Sequence, residues 1–108
     1  MKKGEIWIVE LPLASGHEQV GIRPAIVLAD TKSPVVIVIP LTSNLQALRF
    51  PFTFLVSPSK TNGLDTDSVM LVLHLRAIDR KRLKNKLGLI EKATVKEIDK
   101  IIRRLLKI

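Results

Sequence analysis

The chain has 108 residues, of which 46% are hydrophobic, with two histidines and no cysteine. That is enough for one domain with a core of its own, and it excludes disulfides and thiolate metal sites, so no metal or other cofactor is expected. The formal net charge is +8, and residues 79–108 carry +7 of it, with eleven Lys and Arg against four Asp and Glu; such a cluster suits a polyanionic partner or a solvated lysine-rich face.

The basic start, Met1 to Glu5, is not followed by an uninterrupted apolar stretch, because Glu10 and Pro12 intervene. No apolar run approaches the roughly 20 residues needed to span a bilayer. A soluble, cytoplasmic protein with no membrane partner is therefore expected. Alternation and short β-branched runs bounded by turn residues predict strands at Glu5 to Leu11, Ala25 to Ala29, Val35 to Leu41, Phe50 to Val56 and Ser68 to Leu75, with a sixth at Lys86 to Ile90. Val35 to Ile39 lacks polar alternation, which predicts a central strand covered on both faces. Asn62-Gly63 reads as a tight turn of structural meaning only, and Asp79 to Leu83 as one short helical turn. Thr94-Val95-Lys96-Glu97 has capping-box spacing for a helix start. Val95, Ile98, Ile101, Ile102, Leu105 and Leu106 then form one apolar stripe. Short strands followed by a terminal helix predict a mainly β chain, a small antiparallel barrel with one helix packed outside it.

Between the first two strands lies Gly16-His17-Glu18-Gln19-Val20-Gly21-Ile22-Arg23-Pro24, which puts one arginine at a loop-to-strand junction. The following strand ends on Leu41-Thr42-Ser43-Asn44. If the chain turns tightly about Lys32-Ser33, antiparallel partners have numbers summing to 65, and Arg23 lies opposite Thr42. Directly opposed residues share a face, with Cβ atoms about 4.5–5.5 Å apart, whereas a slip of one residue would send them to opposite faces. On these residues alone the arginine is equally compatible with a surface position at a strand entrance, and Thr42-Ser43-Asn44 with ordinary turn chemistry.

Gly4-Glu5-Ile6-Trp7, Gly16 to Gln19 with Gly21-x-Arg23-Pro24, Ile39-Pro40-Leu41-Thr42, and Asp67-Ser68-Val69 leading to Leu75-Arg76-Ala77-Ile78-Asp79 occur in order along nearly the whole chain. Together they resemble the MazF/PemK-type toxin endoribonucleases, the mRNA interferases of type II toxin-antitoxin systems. The resemblance implies a single domain over residues 1–108, an SH3-like barrel of the MazF, Kid and CcdB type, and a homodimer. It also implies single-stranded RNA as substrate and a cognate antitoxin whose acidic and apolar flexible tail covers the RNA groove. The family's catalytic arginine and threonine fall on Arg23 and Thr42.

RNA can be cut without a metal when its own 2′-hydroxyl attacks the adjacent phosphate, leaving a 2′,3′-cyclic phosphate and a 5′-hydroxyl. The protein must then stabilise charge on the phosphate, move two protons and hold the attacking and leaving oxygens in line. A guanidinium such as that of Arg23 matches a phosphate bidentately but is a poor proton carrier, whereas the stiff Thr42 hydroxyl can donate to a phosphate oxygen or accept from the 2′-hydroxyl. His17 is the natural proton shuttle by side-chain type, although many relatives carry a small hydroxyl residue there, so the family's motif transfers no catalytic role to it. Glu18, Gln19 and Ser43 are candidate RNA-binding residues, together with His74, where relatives often have an amide, and Arg76 as a phosphate contact. Trp7, Phe50, Phe52 and Phe54 are expected in core or dimer packing.

Two other functions fit the same architecture. A non-catalytic toxin that inhibits a protein target such as DNA gyrase usually ends in Trp-Gly-Ile, whereas this chain ends Leu106-Lys107-Ile108. A small barrel that binds RNA without cutting it would keep its affinity on loss of Thr42.

Overall fold

A computed structural model describes residues 1–12 and 20–108. Strands followed by one helix are as expected, and the described residues form seven antiparallel strands where six were expected: β1 (Glu5–Leu11), β2 (Gly21–Asp30), β3 (Val35–Thr42), β4 (Thr53–Val56), β5 (Ser68–Leu71), β6 (Arg76–Asp79), β7 (Leu83–Leu89) and α1 (Lys92–Leu106). The strands lie in the order β4-β5-β3-β2-β1-β7, with β6 also paired to β3. β4 and β7 stand at the two ends of this path, so the expected barrel is not closed.

β3 is central and covered on both faces. It pairs with β2 along one edge and with β5 and then β6 along the other. Its alternate residues feed two cores. Ile39 and Leu41 join Ile6, Ile26, Met70 and Ile98 under the helix, while Val36 and Val38 join Val9, Ala25, Val27 and Ile78 on the opposite face. Burying each such side chain contributes about 1.5–3 kcal/mol, so the hairpin β2–β3 is held from both sides.

Near the hairpin tip, Ala29 pairs with Ile37 and Asp30 with Val36, one residue out of the expected register, because Thr31 to Val35 make a longer turn with Lys32 in the left-handed region. A bulge between Val27 and Ala29 then removes the offset. Val27, Ile26 and Ala25 consequently face Val38, Ile39 and Pro40, in the register whose numbers sum to 65. Arg80 closes the turn from outside, donating to the Asp30 carboxylate at 2.7 Å and to the Ser33 carbonyl at 2.8 Å.

Elsewhere the elements depart from expectation for identifiable reasons. β4 begins at Thr53 and not Phe50, because Asn44 caps a 3-10 turn at Leu45–Arg49 and Phe52 has φ +59. The single strand expected at Ser68 to Leu75 is broken by a 3-10 turn at Val72–His74, which lets β5 pair with one part of β3 and β6 with another. Asp79 caps the expected short turn, accepting from the Lys81 amide. β7 starts at Leu83, ahead of the expected Lys86, and its exposed Lys84, Asn85 and Lys86 suit an edge strand. Helix α1 starts before the Thr94 capping box. The Glu91 carbonyl accepts from the Thr94 and Val95 amides, at 3.0 and 3.1 Å, so Thr94 lies within the first turn. Ile98 and Ile101 of its stripe are buried, whereas Leu106 is exposed.

Candidate functional site

The loop-side end of the hairpin carries the residues singled out in the sequence. β2 enters with Arg23 opposite Val9 of β1 and Pro24 opposite Ile8. The β2–β3 ladder ends at Ala25 and Pro40. Arg23 and Thr42 each lie two residues beyond this last pair, where Arg23 pairs with β1 and Thr42 with β5. Neither proline has an N–H to extend the ladder, so the strands part here and leave room for two pockets.

The first pocket, about 470 Å³, lies beside β3 and the 3-10 turns. Thr42, Asn44, Gln46, Arg49, Phe50 and His74 are among its walls. Thr42 is nearly buried, at 8% exposure, and pairs with Val69 of β5. Its Oγ1 accepts from the Asn44 amide at 3.2 Å. A hydroxyl that accepts a hydrogen bond becomes the better donor, so this contact favours Thr42 as a proton donor to an anion over a role as base. The Arg49 guanidinium lies 5.4 Å from the centroid of the exposed Phe50 ring, a cation–π pair at the mouth.

The second pocket, about 350 Å³, takes in Ile22, Arg23, Pro24, Ser43, Leu64 and Asp65. Arg23 is half-buried, and its Nε donates to the Val20 carbonyl at 2.9 Å, which draws the guanidinium back along its own strand. Thr42 and Arg23 therefore line different pockets. Ser43, next to Thr42, lines the second pocket, as alternation along an extended chain requires.

Among the other candidates, His74 joins Thr42 in the first pocket. Arg76 opens β6 opposite Val38, apart from the walls of both pockets. His17, Glu18 and Gln19 lie outside the described residues. Trp7 packs against the second core, with its indole N–H donating to Glu5 at 2.9 Å. Burial pushes the Glu5 carboxyl up, but hydrogen bonds from Trp7 and the Lys2 amide, with Lys86 nearby, leave it below the ordinary range. Among the described residues no group of three or more His, Cys, Asp or Glu side chains is placed to hold a metal ion, and no helix is long and apolar enough to cross a membrane.

Sequence reading missed the loop that forms the far wall of the second pocket. Asn62 is fully buried. Its Oδ1 accepts from the Ser59 and Leu64 amides, both at 3.0 Å, and its Nδ2 donates to the Ser57 carbonyl at 2.9 Å. Glu91 Oε2 accepts from the Ser59 and Thr61 hydroxyls, both at 2.6 Å. These two hydroxyls, with Asn62, hold the Glu91 carboxyl below its ordinary range against a smaller opposing effect of burial. Gly63 has φ +71, and a Cβ there would collide with the Leu87 carbonyl. A Cβ at Gly88 would meet the Thr61 carbonyl in the same way. The Asn-Gly pair was the only signal of this clamp, and it marked the turn without the network around it.

The family described as PemK-like, MazF-like toxin of type II toxin-antitoxin system matches residues 2–106. A protein named endoribonuclease MazF, from Staphylococcus saprophyticus subsp. saprophyticus, is 33% identical over 106 residues, covering 94% of this chain and 88% of that one. The crystal structure of MazF (Form-I) from Deinococcus radiodurans superposes with a TM-score of 0.83 at 26% identity, covering 100% and 97% of the two chains. A MazE-MazF (Form-II) crystal structure from the same organism matches with a TM-score of 0.74, also at 26% identity, covering 100% and 96%.

Proposed function

Since the chain belongs to the PemK-like, MazF-like toxin family of type II toxin-antitoxin systems, we propose that it is a toxin endoribonuclease that cuts single-stranded RNA at selected sequences. The 2′-hydroxyl beside the scissile bond attacks the phosphorus and the 5′-oxygen leaves, giving 2′,3′-cyclic phosphate and 5′-hydroxyl ends. Because RNA supplies the nucleophile, the protein needs no metal-bound water for this step. The observation that supports the reading is the end of the β2–β3 ladder at Ala25 and Pro40, beyond which Thr42 lines one pocket and Arg23 the other.

In this reaction Arg23 pairs with the non-bridging oxygens and stabilises the charge gathering on them. Thr42, with its oxygen already accepting from the Asn44 amide, donates its hydroxyl hydrogen to the same phosphate. His17, which precedes β2 in the sequence, is assigned the proton transfer that neither of these side chains performs well. Glu18, Gln19, Ser43 and His74 contact bases or sugars, and Arg76 a neighbouring phosphate. An acidic and apolar antitoxin tail would compete with RNA for the same basic surface. The exposed Leu45, Leu48, Phe50 and Leu55 around β4 and the Leu45–Arg49 turn form a candidate homodimer surface.

The test is to incubate the protein with a long mixed-sequence single-stranded RNA in excess EDTA, beside R23A and T42A, and to map fragment ends and their phosphate state. Discrete cuts with cyclic-phosphate and 5′-hydroxyl ends are expected, reduced about a hundredfold to a thousandfold in either variant. Loss of cutting in EDTA would overturn the metal-independent step. An uncut RNA bound in a salt-sensitive way would replace the enzyme with a binding module.

A further inference from the structure

The second pocket contains an acid that neither core packing nor the proposed cleavage step uses. Asp65 stands exposed at its rim, in a protein whose formal charge is +8, and among the described residues it has no ion-pair partner. A carboxylate beside an RNA site repels phosphates, so it belongs where a base sits and the backbone does not. The surroundings fit a base. Pro24, Leu64 and Leu87 supply apolar wall, and Ile22, left 63% exposed on a strand, gains cover from a planar ring laid on it. A volume of about 350 Å³ is near the low end of the roughly 300–1,000 Å³ spanned by ligand pockets, suited to one base and not to a stacked pair.

Resting on the ribonuclease reading above, we propose that Asp65 is a specificity-determining residue that selects a guanine seated in the second pocket, while Arg23 in the same pocket holds the adjoining phosphate. An ionised carboxylate offers acceptors only. Guanine alone among the four RNA bases presents two neighbouring N–H donors, N1–H and the N2 amine, on its Watson–Crick edge, and these match the two carboxylate oxygens as a charge-assisted pair. Adenine and cytosine set an acceptor nitrogen beside their single amine, and uracil sets carbonyls on both sides of its one N–H. Each of these turns an acceptor toward the carboxylate and is rejected by it.

Selectivity of this kind needs a fixed acceptor, and the clamp described above provides it. Asp65 follows directly on Leu64, whose amide is held by buried Asn62. The chain two residues earlier is pressed against the Leu87 carbonyl at Gly63 and fastened to β7 through the Leu89 amide and the Thr61 carbonyl, at 2.7 Å. The neighbouring Thr66 hydroxyl is engaged, donating to the Asp67 carbonyl at 2.9 Å. The free carboxylate is thus the polar group that this loop turns to a ligand.

Two measurements test the assignment. In the first, cut sites in a randomised RNA pool are mapped for wild type and D65N; guanine enrichment at one position is expected, falling about tenfold to a hundredfold in the variant. In the second, uncleavable 2′-O-methyl oligonucleotides carrying guanine or inosine at that position are titrated against wild type and D65A. Inosine lacks the N2 amine, so it should bind wild type about tenfold more weakly and D65A no more weakly than guanine does. For sequences not yet mapped, every position of a short guanine-containing oligonucleotide is replaced in turn. Absence of any guanine preference in wild type, or an inosine penalty unchanged in D65A, overturns the proposal. A wild type that never cuts but shows the Asp65-dependent penalty removes the ribonuclease reading and leaves the pocket assignment standing. Because Asp65 is exposed, unchanged thermal unfolding of both variants is expected and separates lost recognition from lost fold.

Discussion

The two sides of the second pocket are built by opposite means. On one side stands the β2–β3 hairpin, whose residues alternate into two apolar cores, so that many modest contributions fix its course. On the other side the loop between β4 and β5 has little core of its own beyond Leu64 and is fixed by one buried amide, one carboxylate and two glycines that allow close backbone approach. An apolar wall weakens in proportion to what is removed from it. A polar clamp loses its geometry when a single member goes, because the remaining buried groups are left unsatisfied.

That contrast can be broken at either end. The largest effect should come from Ile39→Ala on the hairpin, which removes a fully buried side chain and is expected to cost about 2–5 kcal/mol in denaturant unfolding. Gly63→Ala strikes the clamp by overpacking against the Leu87 carbonyl, about 1–3 kcal/mol, with strain at its positive φ in addition. Asn62→Ala leaves the Ser59 and Leu64 amides and the Ser57 carbonyl without their partner, a loss of about 1–3 kcal/mol. Hydrogen exchange should separate these last two from the first. They should speed exchange at Ser59 to Leu64 before the hairpin responds, whereas Ile39→Ala should loosen both walls together.

Acid sharpens the comparison, since each wall has one depressed carboxyl. Hydrogen bonds from Arg80, from the Lys32 amide and from the N-terminal ammonium hold Asp30 far below its usual range at the hairpin tip. Glu91 is held down by Ser59 and Thr61 at the loop. A carboxyl depressed in the folded state adds stability above its unfolded pKa, about 4 for these side chains, and that stability is lost as pH falls toward the folded value. E91Q should therefore flatten the acid limb of the unfolding profile with its change concentrated in the loop and the first turn of α1, and D30N with its change at the tip. The smallest effect belongs to the exposed Lys3–Asp99 pair, 2.7 Å long with both side chains nearly half exposed. Lys3→Ala should change stability by less than about 1 kcal/mol, and less still in high salt.

Much of the apolar wall was legible in the sequence, because alternation and β-branched runs report burial directly. β1 has the expected bounds, β3 is central, and the helical stripe packs as its period requires except at the exposed Leu106. The expected register holds at Ala25 to Val27 through two deviations that offset each other, a longer turn and a bulge at Leu28, and the ladder stops short of Arg23 and Thr42. Neither deviation leaves a strong local signal. The break between β5 and β6 was illegible because Val69 to Leu75 is nearly all apolar, and only pairing with two parts of β3 decides where the chain must turn. The helix start was misplaced for a related reason. Glu91 stands at the cap position while its carboxylate is turned to the loop, so its role depends on Ser59 and Thr61, some 30 residues away. Sequence spacing also could not foresee that Arg23 would bend back to the Val20 carbonyl and line a different pocket from Thr42.

The exposed turn Asp65-Thr66-Asp67 projects from a loop pinned at Asn62 on one side and continuing into buried Ser68 on the other. Its tip can be rewritten without disturbing either core or the hairpin that bears Arg23 and Thr42. Such an arrangement separates the vocabulary of an enzyme from its chemistry. With the clamp kept intact, a change of target sequence requires substitutions at a few surface positions, and variants made there form a compact library in which new specificities can be sought without losing the fold.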